Sequence, residues 1–387
     1  MKKISEFISI FTVCALLIGF GAAFWLLPDK PLSEMENRML TERPQFTVNR
    51  LLSGEYTEQI GTYFADQFPA RDAFVGLKAY AELALLKGEN NGVLLKDGHL
   101  IPLPGEVNDT QLERNVKSMS VFAEAVSVPV YVAATPRSVD VFSEKLPAAY
   151  PRESANDLYA KYHTLSEAYG LPTVDLFTPL CESGDYYRTD HHYTTDGAYL
   201  CYLNLADRLG YTPYDWDYFT LETASDSFCG TSMRSSGFYL TRKDTITLYR
   251  YPSDGDYRVI IKEDGRTING FYDFDALSAT DQYAVFLGGN HGRADVILPD
   301  AEEERPKLLM IRDSFADCLV PFLALHYDIT LLDLRYYRGN IQKTVAEEGF
   351  DAVLIYQCLS EFDQNIGFGY LERKFIQEEK NEKQSIN

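Results

Sequence analysis

The residues in this chain that could do chemistry lie in two short polar segments far apart in the sequence, Arg188-Thr189-Asp190-His191-His192-Tyr193 and Ile311-Arg312-Asp313-Ser314-Phe315. The first supplies an Asp and a His two positions apart. The second puts a Ser just after the apolar run Lys307-Leu308-Leu309-Met310-Ile311, which reads as a buried strand. A hydroxyl is a poor nucleophile until an imidazole takes its proton, and a carboxylate holds that imidazole in the right tautomer. Asp190, a neighbouring His and Ser314 are therefore a functional unit wherever the fold brings them together. Blander readings exist. Asp313-Ser314 could simply cap a helix, an Asp-His pair could be a surface hydrogen bond, and His191, His192 and Asp196 offer three metal ligands, although adjacent histidines rarely both chelate one ion.

The elements that must position these residues follow a repeating pattern. Near the C-terminus the sequence predicts strand Lys307–Ile311, helix Phe315–His326, strand Ile329–Leu334, helix Asn340–Glu348 and strand Ala352–Gln357. Earlier, strands over Val128–Ala134 and Pro172–Phe177 flank a helix from Ala155 to Ala168. Such alternation implies a parallel sheet covered by helices, with ligands at the carboxyl ends of strands, where Ser314 lies. The β-type runs Thr245–Arg250, Arg258–Lys262 and Arg266–Tyr272, the last two joined across Asp264-Gly265, predict an inserted antiparallel hairpin region walling one side of the cleft. Tyr56 to Lys87 carries helix-period apolar positions, and a helix from Asp196 to Leu209 should follow the histidines.

Acyl chemistry also needs donors for an oxyanion. Ser314 precedes a helix start, where backbone N–H groups are unsatisfied. Gly288-Gly289-Asn290, after an expected strand Tyr283–Leu287, offers backbone N–H groups and a side-chain amide, or alternatively only a Gly-rich turn. Arg137, ending the strand from Val128, could bind a sugar hydroxyl or carboxylate, or form an ion pair. With 27 Tyr and 23 Phe, aromatic stacking on sugar is compatible with the composition, and Tyr186, Tyr187 and Tyr193 are the candidates near the histidines.

Lys2 and Lys3 precede an apolar stretch from Phe7 to Leu27, interrupted by little more than Ser9 and Thr12. As a helix it spans about 31 Å, enough to cross a bilayer. The basic residues predict a cytoplasmic N-terminus with everything after Pro28 outside, and Trp25 at the outer interface; a cleaved signal peptide is the rival. The following segment to Gln45 is expected to be a stalk. With 45% hydrophobic and 24% charged residues the 387-residue chain reads as globular, and a net charge of −21 without a Lys/Arg run argues against nucleic acid. Cys14 lies in the apolar stretch, leaving Cys181, Cys201, Cys229, Cys318 and Cys358, an odd number for an exported domain, with no zinc-type spacing. Neither metal nor cofactor is expected.

The two polar segments, with Asp66-Gln67-Phe68-Pro69-Ala70-Arg71-Asp72, Phe286-Leu287-Gly288-Gly289-Asn290 and Asp333-Leu334-Arg335-Tyr336-Tyr337, resemble the DHHW family, an SGNH-hydrolase-like group related to alginate O-acetyltransferases. The resemblance covers roughly residues 30 to 370. The family's name motif ends in Trp, and here Tyr193 stands in its place. The resemblance implies His192 as general base, Asp190 as its orienting carboxylate, Ser314 as nucleophile, His191 as a supporting residue, and Gly289 and Asn290 as oxyanion donors. It implies an SGNH-like α/β domain over 101–375, after a membrane anchor at 1–28 and a stalk and helical region at 29–100, and before a disordered tail at 376–387. The implied function is O-acetyl transfer to, or acetylester hydrolysis on, a cell-surface polysaccharide, with a multipass acyltransferase as partner. The alternative is a non-catalytic glycan-binding or scaffold module. The two are separated by whether the Ser314 hydroxyl lies within hydrogen-bond reach, about 2.6 to 3.2 Å, of His192.

Overall fold

The computed structural model describes residues 2–33, 38–147 and 153–374; the polar tail expected from 376 onward lies outside them. The chain forms two compact units, one made of residues 1–95 with 231–241, the other of 96–230 with 242–387.

The larger unit is built on an eight-stranded sheet. Its strands are β1 (Val130–Thr135), β2 (Thr173–Asp175), β3 (Arg258–Ile261), β4 (Thr267–Asn269), β5 (Arg293–Ile297), β6 (Lys307–Arg312), β7 (Asp328–Leu332) and β8 (Ala352–Cys358), in the spatial order β4-β3-β5-β7-β6-β8-β1-β2. The run from β7 to β2 is parallel throughout. Every residue of β8 is buried, as a central parallel strand covered on both faces requires. On one face Leu309, Ile311, Val353 and Ile355 pack against Leu112, Val116 and Phe122 of helix Asp109–Ala125, Tyr162 of helix Glu153–Ala168, and Ile341 and Val345 of helix Ile341–Glu348. On the other, Tyr193 and Tyr356 are fully buried, and Tyr202 of helix Thr195–Leu209 stacks on Phe322.

The hairpin expected across Asp264-Gly265 is present as the antiparallel pair β3–β4; β3 also pairs antiparallel with β5, and β5 with β7, so it extends the main sheet. The third β-type run, Asp244–Arg250, pairs with Thr220–Phe228. Two expectations differ from the structure. The expected helix Phe315–His326 is a single 3-10 turn, Ser314–Ala316, followed by a short helix, Val320–Leu323; Pro321 lacks the N–H that a continuous helix would need there. The expected strand Tyr283–Leu287 is the 3-10 turn Gln282–Val285, after which Leu287 (φ 58°) and both following glycines turn left-handed.

In the smaller unit, helix Lys2–Leu26 contains Ile4–Leu26, a segment long and apolar enough to cross a membrane. The segment after it is no free stalk. Gln67 accepts from the Lys30 N–H and donates to the Lys30 and Thr41 carbonyls, Asp66 accepts from Thr41, and the Tyr63 hydroxyl donates to Asp29. Helices Glu55–Asp66 and Arg71–Ala84 complete the helical region, with segment 231–241 packed on the second: Phe238 meets Tyr80, and Leu240 N–H donates to the Tyr80 hydroxyl.

Candidate active site

Ser314 emerges two residues beyond β6, at the carboxyl end of the parallel sheet. The cap is Asp313 rather than Ser314: its Oδ1 accepts from the Phe315 N–H at 2.9 Å and its Oδ2 from the Cys358 N–H at 2.6 Å, tying the turn to the end of β8. This leaves the Ser314 hydroxyl for His192, whose Nε2 lies 2.8 Å from Oγ. His192 Nδ1 is 2.5 Å from Asp190 Oδ1, which also accepts the His192 backbone N–H at 3.0 Å. Donation from Nδ1–H to Asp190 leaves the Nε2 lone pair facing the hydroxyl, the polarity that proton abstraction needs. Asp190 and His192 are buried, and Ser314 is half-buried.

The histidine segment is held from several sides. Tyr186 and Tyr193 form an antiparallel bridge, and the Tyr187 N–H donates to the His192 carbonyl. Asp244 accepts from the Arg188 and Thr189 N–H groups and the Thr189 hydroxyl, which in turn accepts from the Gly230 N–H. Gly230 is there because nothing larger fits: a Cβ would stand 2.3 Å from Asp190 Cβ. Tyr283 stacks on the His192 ring, with centroids 4.1 Å apart and planes within 7°, and Phe315 approaches the same ring at 4.7 Å. Asp244, Gly230 and Tyr283 carry no local signal of a site role in the sequence, since each becomes part of the site only by a long-range contact.

The remaining candidates divide. His191 is 39% exposed, with Nδ1 3.5 Å from Asp190 Oδ1, and its ring packs on that of His192. Asp190, His191 and His192 place one ligand atom each within 4.8 Å of one another, but both His192 nitrogens are already engaged. Asp196, the third ligand considered, instead accepts from the Tyr249 hydroxyl. Tyr193 is not a substrate platform: it is fully buried, its hydroxyl on the Phe315 carbonyl and 2.6 Å from the Tyr356 hydroxyl. Tyr186 and Tyr187 are buried too. Arg137 faces inward, with Nε and a terminal nitrogen 2.9 and 2.7 Å from the oxygens of buried Asp140, so it forms the internal ion pair and not a sugar contact.

Gly289 N–H donates to the Phe286 carbonyl, which removes it as an oxyanion donor. The amide oxygen of Asn290 accepts from Arg312 at 2.8 Å and from Arg335 at 3.1 Å. Those two bonds decide the amide's orientation and turn its NH2 the other way. Arg312 is itself fully buried, 2.9 Å from Asp317 Oδ1. Burial pushes the Asp313 carboxyl upward, against the pull of its backbone donors and Arg335. Burial, reinforced by Asp313, pushes Glu361 up to about 7. None of the six cysteines forms a disulfide.

Comparison with known proteins places this architecture. Residues 173–331 match the model of the DHHW protein family, and residues 105–220 match that of an SGNH hydrolase-like domain described for the acetyltransferase AlgX. A probable alginate O-acetylase AlgJ from Pseudomonas fluorescens is 27% identical over 169 residues, which span 40% of this chain and 43% of that relative. Among solved structures, a DHHW family protein from Eubacterium siraeum superposes with a TM-score of 0.63 at 21% identity, covering 75% of this chain and 98% of its own. Bacillus cereus PatB1, solved with a sulfonyl adduct, superposes with a TM-score of 0.60 at 20% identity, covering 72% of this chain and 97% of its own. The chain thus carries a DHHW-family segment within an SGNH hydrolase-like α/β fold, and is related to the alginate O-acetylases.

Proposed function

We propose that this protein is a membrane-anchored, extracytoplasmic O-acetyltransferase, with acetylester hydrolysis as the side reaction, acting on a cell-surface polysaccharide through a Ser314 acyl-enzyme. The observation that carries the reading is the continuous chain from Asp190 through His192 to Ser314, with a 2.8 Å contact at the nucleophile. That contact lies within hydrogen-bond reach and favours an enzyme over a binding or scaffold module. The kinship with an alginate O-acetylase supports a polysaccharide as acceptor.

In the forward half-reaction Ser314 Oγ bonds to the acyl carbonyl carbon while its proton passes to His192 Nε2, and Asp190 stabilises the imidazolium. The tetrahedral oxyanion is met by the Ser314 N–H and the Asn290 NH2, neither of which has an acceptor among the described residues. His192 then returns the proton to the leaving group. In the second half-reaction it takes a proton from a sugar hydroxyl, which attacks the acyl-serine and releases Ser314. Water in that role gives hydrolysis.

Helix Lys2–Leu26 acts as an uncleaved anchor with its N-terminus inside. Phe20 packs on Phe68 and Phe74, contacts that cleavage after Ala22-Ala23 would remove. A multipass acyltransferase in the same membrane would supply the donor. The test is acylation of the full chain by an aryl acetate. One acetyl group should appear on the Ser314 peptide, vanish in Ser314→Ala, and leave faster when the correct glycan is added, with acetyl appearing on the sugar. A well-folded protein that no donor acylates would overturn the enzyme reading, and hydrolysis indifferent to every glycan would make it a deacetylase.

A further inference from the structure

The smaller unit exposes apolar side chains that a water-facing helical preface would bury. Leu77 of helix Arg71–Ala84 is 65% exposed, and Leu85 and Leu86 just after it are 81% and 94% exposed. Phe64, Phe68 and Phe74 are each about two-fifths exposed. Their depth follows from what they touch. The 23-residue span Ile4–Leu26 is about 34 Å long as a helix, against about 30 Å of hydrocarbon. Centred in the bilayer, it brings the outer hydrocarbon boundary to the neighbourhood of Trp25. Phe20 then lies about 7 Å deeper, five residues further in.

Phe20 stacks on Phe68 with centroids 5.4 Å apart and meets Phe74 edge-on at 5.4 Å. Phe24 stacks on Phe64 at 4.7 Å. Rings in van der Waals contact with Phe20 share its depth. Phe68 and Phe74 therefore sit at the level of the acyl chains, and the apolar residues around them continue the lipid-facing surface of the span.

We propose that helices Glu55–Asp66 and Arg71–Ala84 lie in the outer leaflet interface, their apolar face covered by lipid acyl chains, so that this protein holds the membrane by a span and an interfacial helix pair together. Interfacial helices bury their apolar face about 5 to 10 Å into the headgroup and acyl boundary, which matches the depth set by Phe20. The first turns of the two helices carry Glu55, Glu58 and Asp72, so the attraction is apolar and not directed at anionic headgroups.

This inference rests on the anchor reading, and the experiment separates the two. The full chain, with Cys14, Cys181 and Cys229 changed to serine, carries Leu77→Cys, or Ile366→Cys as a control on the α/β unit, where Ile366 is 79% exposed. Each is labelled with bimane and reconstituted in phosphatidylcholine liposomes. Iodide quenching at position 77 should be at least about fivefold weaker than at 366, and quenching by nitroxide-bearing phosphatidylcholine correspondingly stronger. Equal iodide quenching at both positions overturns the proposal. Shielding at 77 from iodide and nitroxide lipid alike would mean a second copy of the chain covers the face, which also overturns it. Failure of the protein to stay with liposomes through alkaline washing would sink the anchor reading instead.

Discussion

The two arms of the candidate site are held in opposite ways. Ser314 ends a buried strand, and its position is set by backbone: β6 is paired on both sides, and Asp313 clips the turn to the Phe315 and Cys358 N–H groups. The histidine segment belongs to no strand of the sheet. Its only regular pairing among the described residues is its own short Tyr186–Tyr193 bridge, and its place is set by side chains and one close approach, through Asp244, Thr189, Gly230 and the Tyr283 stack. The serine arm should thus tolerate change at distant positions, whereas the histidine arm should lose activity to changes that leave the fold intact.

The largest expected effect is at Asp190. Asp190→Asn keeps the shape but favours the wrong imidazole tautomer, and should lower kcat by about 10⁴-fold with little change in unfolding midpoint. His191→Ala should cost no more than about tenfold, since that ring is partly exposed and touches Asp190 only at 3.5 Å. Equal losses at the two positions would show that the base has been assigned to the wrong histidine.

Gly230→Ala comes next. A methyl group at 2.3 Å from Asp190 Cβ and 2.6 Å from its Cα forces Asp190, backbone included, to move by about an ångström, a displacement that can cost about 10²-fold in turnover. Wild-type kcat in this variant would mean that the histidine arm is not held by close packing. On the serine arm the signature should be stability instead. Asp313→Ala removes a cap and strands the buried Cys358 N–H, costing about 2 to 4 kcal/mol in denaturant unfolding. A loss of turnover without that loss of stability would erase the contrast between the arms.

The smallest effect concerns pH. Burial and the neighbouring Asp313 raise Glu361 from 4.5 to about 7, so the folded protein keeps a proton that the unfolded chain has released. Stability should fall as pH rises from about 4.5 to about 7 and level off above that. Glu361→Gln should flatten this decline in a pH series of chemical unfolding; an unchanged slope would assign it to other groups.

Legibility in the sequence followed the range of the interaction. Strands β6, β7 and β8 and helix Ile341–Glu348 were readable because a buried parallel strand is a continuous apolar run and an amphipathic helix repeats every 3.6 residues; the helix expected over Phe315–His326 was not, since a turn and a short helix replace it. Ser314, His192 and Asp190 could be named by residue type, spacing and resemblance, and the apolar N-terminal segment by its length. What only the tertiary structure decided lies in contacts between distant segments. Tyr193 offered the same aromatic ring to a cleft or to the core, and packing against Phe315 and Tyr356 put it in the core. Gly289 looked like a donor until its N–H was spent on Phe286, and Arg137 like a sugar ligand until Asp140 claimed it. The polar segment after the span read as a stalk because composition records water affinity and not partners; Gln67 and Asp66 supply those partners only after the helices have folded back. Periodicity and residue type are written locally, whereas a side chain's environment is the sum of neighbours that only chain closure brings within reach.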